Sequence, residues 1–173
     1  MTERPNDSWL EGWVSIRAAL ASGSREVYEV LLERGRDSRA LAGLAERAGR
    51  TGVSLRRLER AELDALSSGS THGGALARVG PRRFHDLNYL GRGSAPPFLA
   101  LLDGVEDPYN FGQALRAFHA AGAHGVVLRP RNWTTAAAVA ARASAGASEF
   151  LPLALAHSDA ELLAFVRERG LRL

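Results

Sequence analysis

Apolar positions along this chain alternate between two rhythms. In EGWVSIRAALAS (11–22), Trp13, Ile16 and Leu20 stand three and four apart and predict a helix. REVYEVLLERG follows with Val27, Val30, Leu31 and Leu32, a cluster rich in β-branched residues that predicts a short strand. Asp37 is placed to cap a second helix, with Leu41, Leu44 and Ala48 on one face and Gly49 near its end. A short strand near Val53 and a helix through LRRLERAELDAL (55–66) come next, then the turn cluster SSGSTHGG and a strand at ALARVG (75–80).

The rhythm breaks at LGRGSAPP (90–97), where two glycines, a serine and two prolines fall within eight residues. A domain over 1–90, a linker over 91–97 and a second domain over 98–173 are expected. The second domain reads as strand FLALLDG, helix 111–121, strand GVVLRP, helix TTAAAVAARAS, strand FLPLAL and helix Asp159–Arg169. Leu171–Leu173 resemble the opening of another strand. Such alternation predicts α/β layers, with a parallel sheet in the second half. A strand cut short implies an incomplete sheet with an exposed edge and apolar surface, and hence marginal solubility or self-association.

Composition narrows the class. Hydrophobic residues make up 46% and charged residues 24%, the balance of a globular chain. No apolar run approaches the roughly 18 residues of a membrane span, and MTERPNDSWLEGW lacks a basic-then-apolar leader, so a cytoplasmic location is expected. The absence of cysteine excludes disulfides, thiolate metal sites and cysteine nucleophiles. All 22 basic residues are arginine. The all-arginine usage is read first as a coding bias towards Arg, Ala and Gly, while the net charge of +3 and pI near 10.1 are compatible with a nucleic-acid partner.

Three clusters carry candidate chemistry. In DGVEDPYNFGQALR, either Asp107–Pro108 or Asn110 starts a helix; Arg116 then lies roughly 9 Å along the axis from Asn110 at about 1.5 Å per residue. The functional reading is a polar pocket at the C-terminal edge of a parallel sheet; the bland one is a capped helix with a surface arginine. In ARASAGASEFLP, Ser144, Gly146 and Ser148 permit close backbone approach and Glu149 follows, either to cradle a ligand or to let two elements pack. In GSTHGGALARVG, His72 sits on a glycine-flanked loop, able to touch RNA or to be merely solvated. The five histidines show no metal-ligand spacing, so no metal is expected; neither a GxGxxG nor a GxSxG element occurs.

Together these clusters resemble the SpoU (TrmH) family of RNA 2′-O-ribose methyltransferases, within the knotted SPOUT superfamily. The first family motif is matched by Asp107, Pro108, Asn110, Gly112 and Arg116, followed by AAGAHGVVL, and the second by SAGASE with Ser144, Gly146 and Glu149. The N-terminal part is similar to the family's ribosomal-protein-like RNA-binding domain, although Gly73 stands where glutamine is usual. The resemblance implies methyl transfer from S-adenosylmethionine to a ribose 2′-hydroxyl, with ribosomal RNA favoured over transfer RNA. Arg116, Asn110 and Glu149 match its catalytic residues, and His72, Arg116 and Ser144 its RNA contacts. An arginine is a poor base, so electrostatic positioning of the hydroxyl is the expected role of Arg116.

Nothing after Leu151 matches the third motif, whose segments thread the knot and supply most of the cofactor pocket and much of the dimer contact in a typically homodimeric family. The expected picture is an incomplete SPOUT-type domain carrying the RNA side of the site. The alternative is a non-catalytic RNA-binding module of the same ancestry.

Overall fold

The structure, a computed structural model, describes residues 7–68, 71–130 and 137–172. Parts of three expected features lie outside these residues: 69–70 of the glycine-rich turn, 134–136 of the helix through TTAAAVAARAS, and Leu173.

The first half is a four-stranded sheet in the order β1–β4–β2–β3, built from β1 (Ser8–Glu11), β2 (Val27–Glu33), β3 (Ser54–Leu58) and β4 (Ala75–Val79). β4 runs antiparallel to both β1 and β2, while β2 and β3 are parallel and joined by a crossover helix. The helices are α1 (Trp13–Ser22), α2 (Arg39–Thr51) and α3 (Arg60–Leu66). Side chains alternate across a strand, so β2 divides its apolar run between two faces. Val30 and Leu32 pack with Leu10, Ile16, Leu41 and Leu44 under α1 and α2, whereas Leu31 packs with Leu58, Leu63 and Leu76 on the α3 side.

The second half is a parallel three-stranded sheet in the order β5 (Leu99–Leu102), β6 (Gly125–Leu128), β7 (Leu153–Leu155). Helices α4 (Pro108–Ala120), α5 (Ala137–Ala143), α6 (Ala147–Phe150) and α7 (Asp159–Glu168) make the crossovers and the flank. Val126 and Leu128 face Phe111, Leu115 and Leu151; Val127 faces the opposite way, onto Leu162 and Phe165. Leu87 and Leu90, N-terminal to the expected linker, belong to this second core, and His85 N–H bonds the Leu153 carbonyl at 2.8 Å beside β7.

Four expectations about elements need correction. Leu55–Leu58, read as helical, is strand β3: in a strand Leu55 and Leu58 point to opposite faces, so each serves a different core, and pairing with β2 overrides the helical spacing. The N-cap of α2 is Ser38 rather than Asp37, and the helix runs through Gly49 to close at Gly52, whose φ of 69° supplies the left-handed turn. Residues 147–150 form a helical turn, leaving only Leu153–Leu155 as strand. Leu171 and Arg172 are not in a strand. The sequence reading also passed over β1.

Candidate functional site

The two glycine-bearing clusters meet. Of the two helix starts left open by the sequence, the structure takes Asp107, whose carboxylate accepts the Asn110 N–H at 2.7 Å, with Pro108 in the first turn. From there Phe111 and Leu115, four apart, turn inward onto the sheet. Gly112 lies between them in position: a Cβ there would come within 2.6 Å of the Ala140 carbonyl oxygen, 2.7 Å of Ala143 Cβ and 3.1 Å of Ser144 N. Its lack of a side chain therefore lets α4 lie directly on the end of α5.

Asn110 and Arg116 are both exposed on α4, and among the described residues the Arg116 side chain has no hydrogen-bond or ion-pair partner. Six residues of helix separate them by about 120° around the axis. They do not share one stripe, and only the length of the arginine side chain lets both address one ligand.

Ser144 is buried. Its hydroxyl bonds the Ala141 carbonyl at 3.0 Å and accepts the Ser148 N–H at 3.1 Å, tying α5 to the start of α6. Gly146, with φ 82°, is pressed against α1: a Cβ would stand 2.7 Å from that of Ala18 and 3.2 Å from the Val14 carbonyl oxygen. Of the two readings left open for SAGAS, the packing one describes its geometry. Arg142 extends the same contact to Glu11 at 3.2 Å.

Glu149 faces this junction. Its side chain is fully buried and takes a two-pronged ion pair from Arg25, Nε to Oε2 and Nη2 to Oε1, each at 2.9 Å. Ser24 Oγ and Ser148 Oγ also donate to the carboxylate. The carboxylate is thus held by Arg25, Ser24 and Ser148, and Arg116 is not among these partners. Arg82 completes the cluster by donating to the carbonyls of Ser148 at 3.1 Å and Leu151 at 2.7 Å. Burial lowers its pKa to about 10, with the nearby Arg25 charge adding to the fall and Glu149 opposing it. The guanidinium remains a cation at neutral pH.

His72 is buried too. Nε2 lies 2.8 Å from an Asp64 carboxylate oxygen, and Nδ1 accepts the Gly74 N–H at 3.1 Å, a pattern that assigns the proton to Nε2. One ring nitrogen is spent on α3 and the other on the loop, so the buried ring ties the Gly73–Gly74 turn to α3 and does not face outward. Sequence reasoning missed Ser24, Arg25 and Arg82. No spacing rule links Arg25 to a carboxylate 124 residues away.

Among the described residues, no helix is long and apolar enough to cross a membrane, and no group of three or more His, Asp or Glu side chains is arranged to hold a metal ion. S-adenosylmethionine requires a slot for a purine and partners for a charged amino-acid end. The groove of about 390 Å³ lined by Phe98, Leu99, Leu162, Phe165 and Leu171 is apolar and flanks the start of β5. Parallel sheets bind ligands beyond the opposite, C-terminal strand ends, from which α4 springs. The groove therefore does not fit the cofactor.

Comparison with known proteins agrees with this layout. Residues 9–85 match the model for RNA 2′-O ribose methyltransferase substrate binding, and residues 97–173 match the SpoU rRNA methylase family. The chain is 34% identical over 142 residues to the 23S rRNA (guanosine-2′-O-)-methyltransferase RlmB of Haemophilus ducreyi, covering 80% of this chain and 58% of the relative. It is 32% identical over 160 residues to RlmB of Escherichia coli strain K12, covering 91% and 66%. The chain thus spans less than two thirds of the length of these relatives. A crystal structure of an RNA 2′-O ribose methyltransferase superposes with TM-score 0.73 at 24% identity, over 95% of this chain and 60% of that one. The SpoU methyltransferase AviRb from Streptomyces viridochromogenes, solved with AdoMet, gives 0.72 at 22% identity over 95% and 61%. The fold is theirs. With one half matching the family's substrate-binding domain and the other its methylase domain, in that order, this chain belongs to the SpoU family of RNA 2′-O-ribose methyltransferases.

Proposed function

We propose that this chain provides the RNA-binding and acceptor side of a methyltransferase acting on a ribose 2′-hydroxyl of ribosomal RNA in the cytoplasm. One observation carries the reading. Gly112 of the first motif seats α4 against Ala143 and Ser144 of the second, leaving Arg116 and Asn110 outward on a helix anchored at the junction of the two sheets. The RlmB relatives, named as 23S rRNA enzymes, support ribosomal RNA over transfer RNA.

A ribose hydroxyl is a very weak acid, so its attack on a methyl group needs charge stabilisation and alignment. The Arg116 guanidinium, a fork of donors, holds the 2′-oxygen and the neighbouring phosphate together, and Asn110 presents an amide beside them. S-adenosylmethionine, the donor of this family, supplies the electrophilic methyl. Glu149 acts through Arg25 by fixing the end of α6; Ser144 and His72 hold their turns behind the RNA-facing surface. In domain terms, 1–90 binds substrate, 91–97 connects and 98–173 carries the acceptor site.

The test is methyl transfer from radiolabelled S-adenosylmethionine to a 23S rRNA transcript, with the protein carrying Arg116→Ala. A fall in kcat of about 10²–10³-fold, with RNA affinity changed far less, is expected for loss of one transition-state donor. Unchanged kcat would remove Arg116 from the reaction. RNA binding without transfer in the unsubstituted protein would favour a non-catalytic module.

A further inference from the structure

Between the two halves lies a cleft of about 310 Å³ that motif comparison leaves unassigned. Its rings come from separate parts of the chain: Phe150 at the end of α6, and His85 with Tyr89 from the segment joining the halves. Its polar lining includes Ser22, Ser24 and Arg83. His85 and Tyr89 stack on each other, centroids 4.0 Å apart and planes within 8°. Tyr89 and Phe150 nevertheless stay 44% and 48% exposed, unusual for large rings that line one cleft. The only carboxylate in the lining, Glu149, is already neutralised by Arg25, while Arg83 is exposed and Arg92 lies 5.9 Å over the Tyr89 ring.

The cleft connects to α4. Phe150 also stacks on His119, at 5.9 Å between centroids, and His119 is three residues beyond Arg116. Residues three apart on a helix are neighbours, with Cβ atoms about 5–6 Å apart. A path therefore leads from Arg116 over His119 and Phe150 into the cleft.

We infer that this junction cleft binds a nucleotide flanking the methylated one, its base stacked against Phe150, His85 and Tyr89 and its phosphate met by Arg83 and Arg92. The inference rests on the function proposed above and names a specificity-determining part of its RNA site. Unpaired bases are commonly held by stacking on aromatic rings with basic side chains on the backbone. Burial, followed by repulsion from Arg82, lowers the pKa of His85 below its ordinary value. The ring is therefore neutral at physiological pH, offering a flat face and one donor and one acceptor. The connecting segment thus becomes part of the substrate surface as well as a tether.

Fluorescence anisotropy tests this, using the full chain with a fluorescein-labelled single-stranded RNA 12-mer and an abasic ribose-phosphate 12-mer. Tyr89→Ala and Phe150→Ala each weaken RNA binding by about ten-fold or more, the range that base stacking supplies. They leave abasic binding and the salt slope unchanged. Arg83→Gln lowers the salt slope for both probes by about one, and Tyr89→Phe binds as the native chain does. Native-like RNA affinity in both alanine variants, with unfolding transitions intact, would overturn the cleft while leaving the proposed function standing. Equal losses for RNA and abasic probe would overturn the base-stacking role. No RNA binding by the native chain would overturn the RNA reading itself.

Discussion

Replacing Gly112 by alanine tests whether the close approach of α4 and α5 organises this site. Alanine is the better helix former by about 1 kcal/mol, so on propensity alone Gly112→Ala should stabilise the protein. Against that, the new methyl would sit 2.6 Å from the Ala140 carbonyl oxygen and 2.7 Å from Ala143 Cβ, with Ser144 N at 3.1 Å. Two of these three atoms are backbone, so no side chain can swing aside, and the helices must part by several tenths of an ångström or more. Overpacking of this kind costs about 1–3 kcal/mol. Because the clash is with backbone, the upper half of that range applies, leaving a net loss of roughly 1–2 kcal/mol. Gly43, in the middle of α2, is the internal control: it has nothing within 4 Å of its would-be Cβ. Gly43→Ala should therefore stabilise by about 0.5–1 kcal/mol. Thermal unfolding followed by circular dichroism separates the two, since each kcal/mol moves Tm by about 2–4 °C in a chain of this size. The melting temperature should fall in one variant and rise in the other. Equal or parallel shifts would show that the contact at Gly112 does not constrain α4, and the account of how Arg116 is positioned would lose its support.

Two further outcomes follow from the buried polar cluster. Arg25→Ala leaves the Glu149 carboxylate buried without its ion-pair partner and should cost about 3–5 kcal/mol in urea denaturation, whereas the double variant Arg25→Met/Glu149→Leu should recover most of that loss; a double variant as unstable as the single would indicate that the pair holds something beyond its own charges. His85, followed by NMR titration, should show a pKa below 6.5, and Arg82→Gln should raise it, because one of the two causes of its depression is removed. A depressed histidine pKa means the unfolded chain binds more protons below about pH 6.5, so His85 subtracts stability as pH falls through that window and nothing above it.

The elements with strong local signals were legible in advance. α2 keeps Leu41, Leu44 and Ala48 on its buried face, and α4 begins with an aspartate and a proline suited to its first turn. Leu55–Leu58 shows where local reading fails. A leucine pair three apart satisfies a helix and an edge strand equally, and only the ladder offered by β2 decides between them. His72 fails for a similar reason: a glycine-flanked histidine looks solvated until Asp64 and Gly74 close around it. The stretch at 90–97 has the composition of a tether, but its first residue, Leu90, and the preceding Leu87 bury themselves in the second core and bring His85 and Tyr89 to the junction.

The sequence alone determined the order and spacing of the first-motif residues, because Asp107, Asn110, Gly112 and Arg116 lie close together along the chain. The tertiary structure decided which of them face outward and which face other elements of the fold. Arg116 and Asn110 remain outside, while Glu149 turns to Arg25 and Gly112 and Gly146 become contact points between helices. Those outcomes depend on burial, which penalises an unpaired charge, and on packing, which excludes a single methyl group. Both act between residues that the fold, not the order of the chain, makes neighbours.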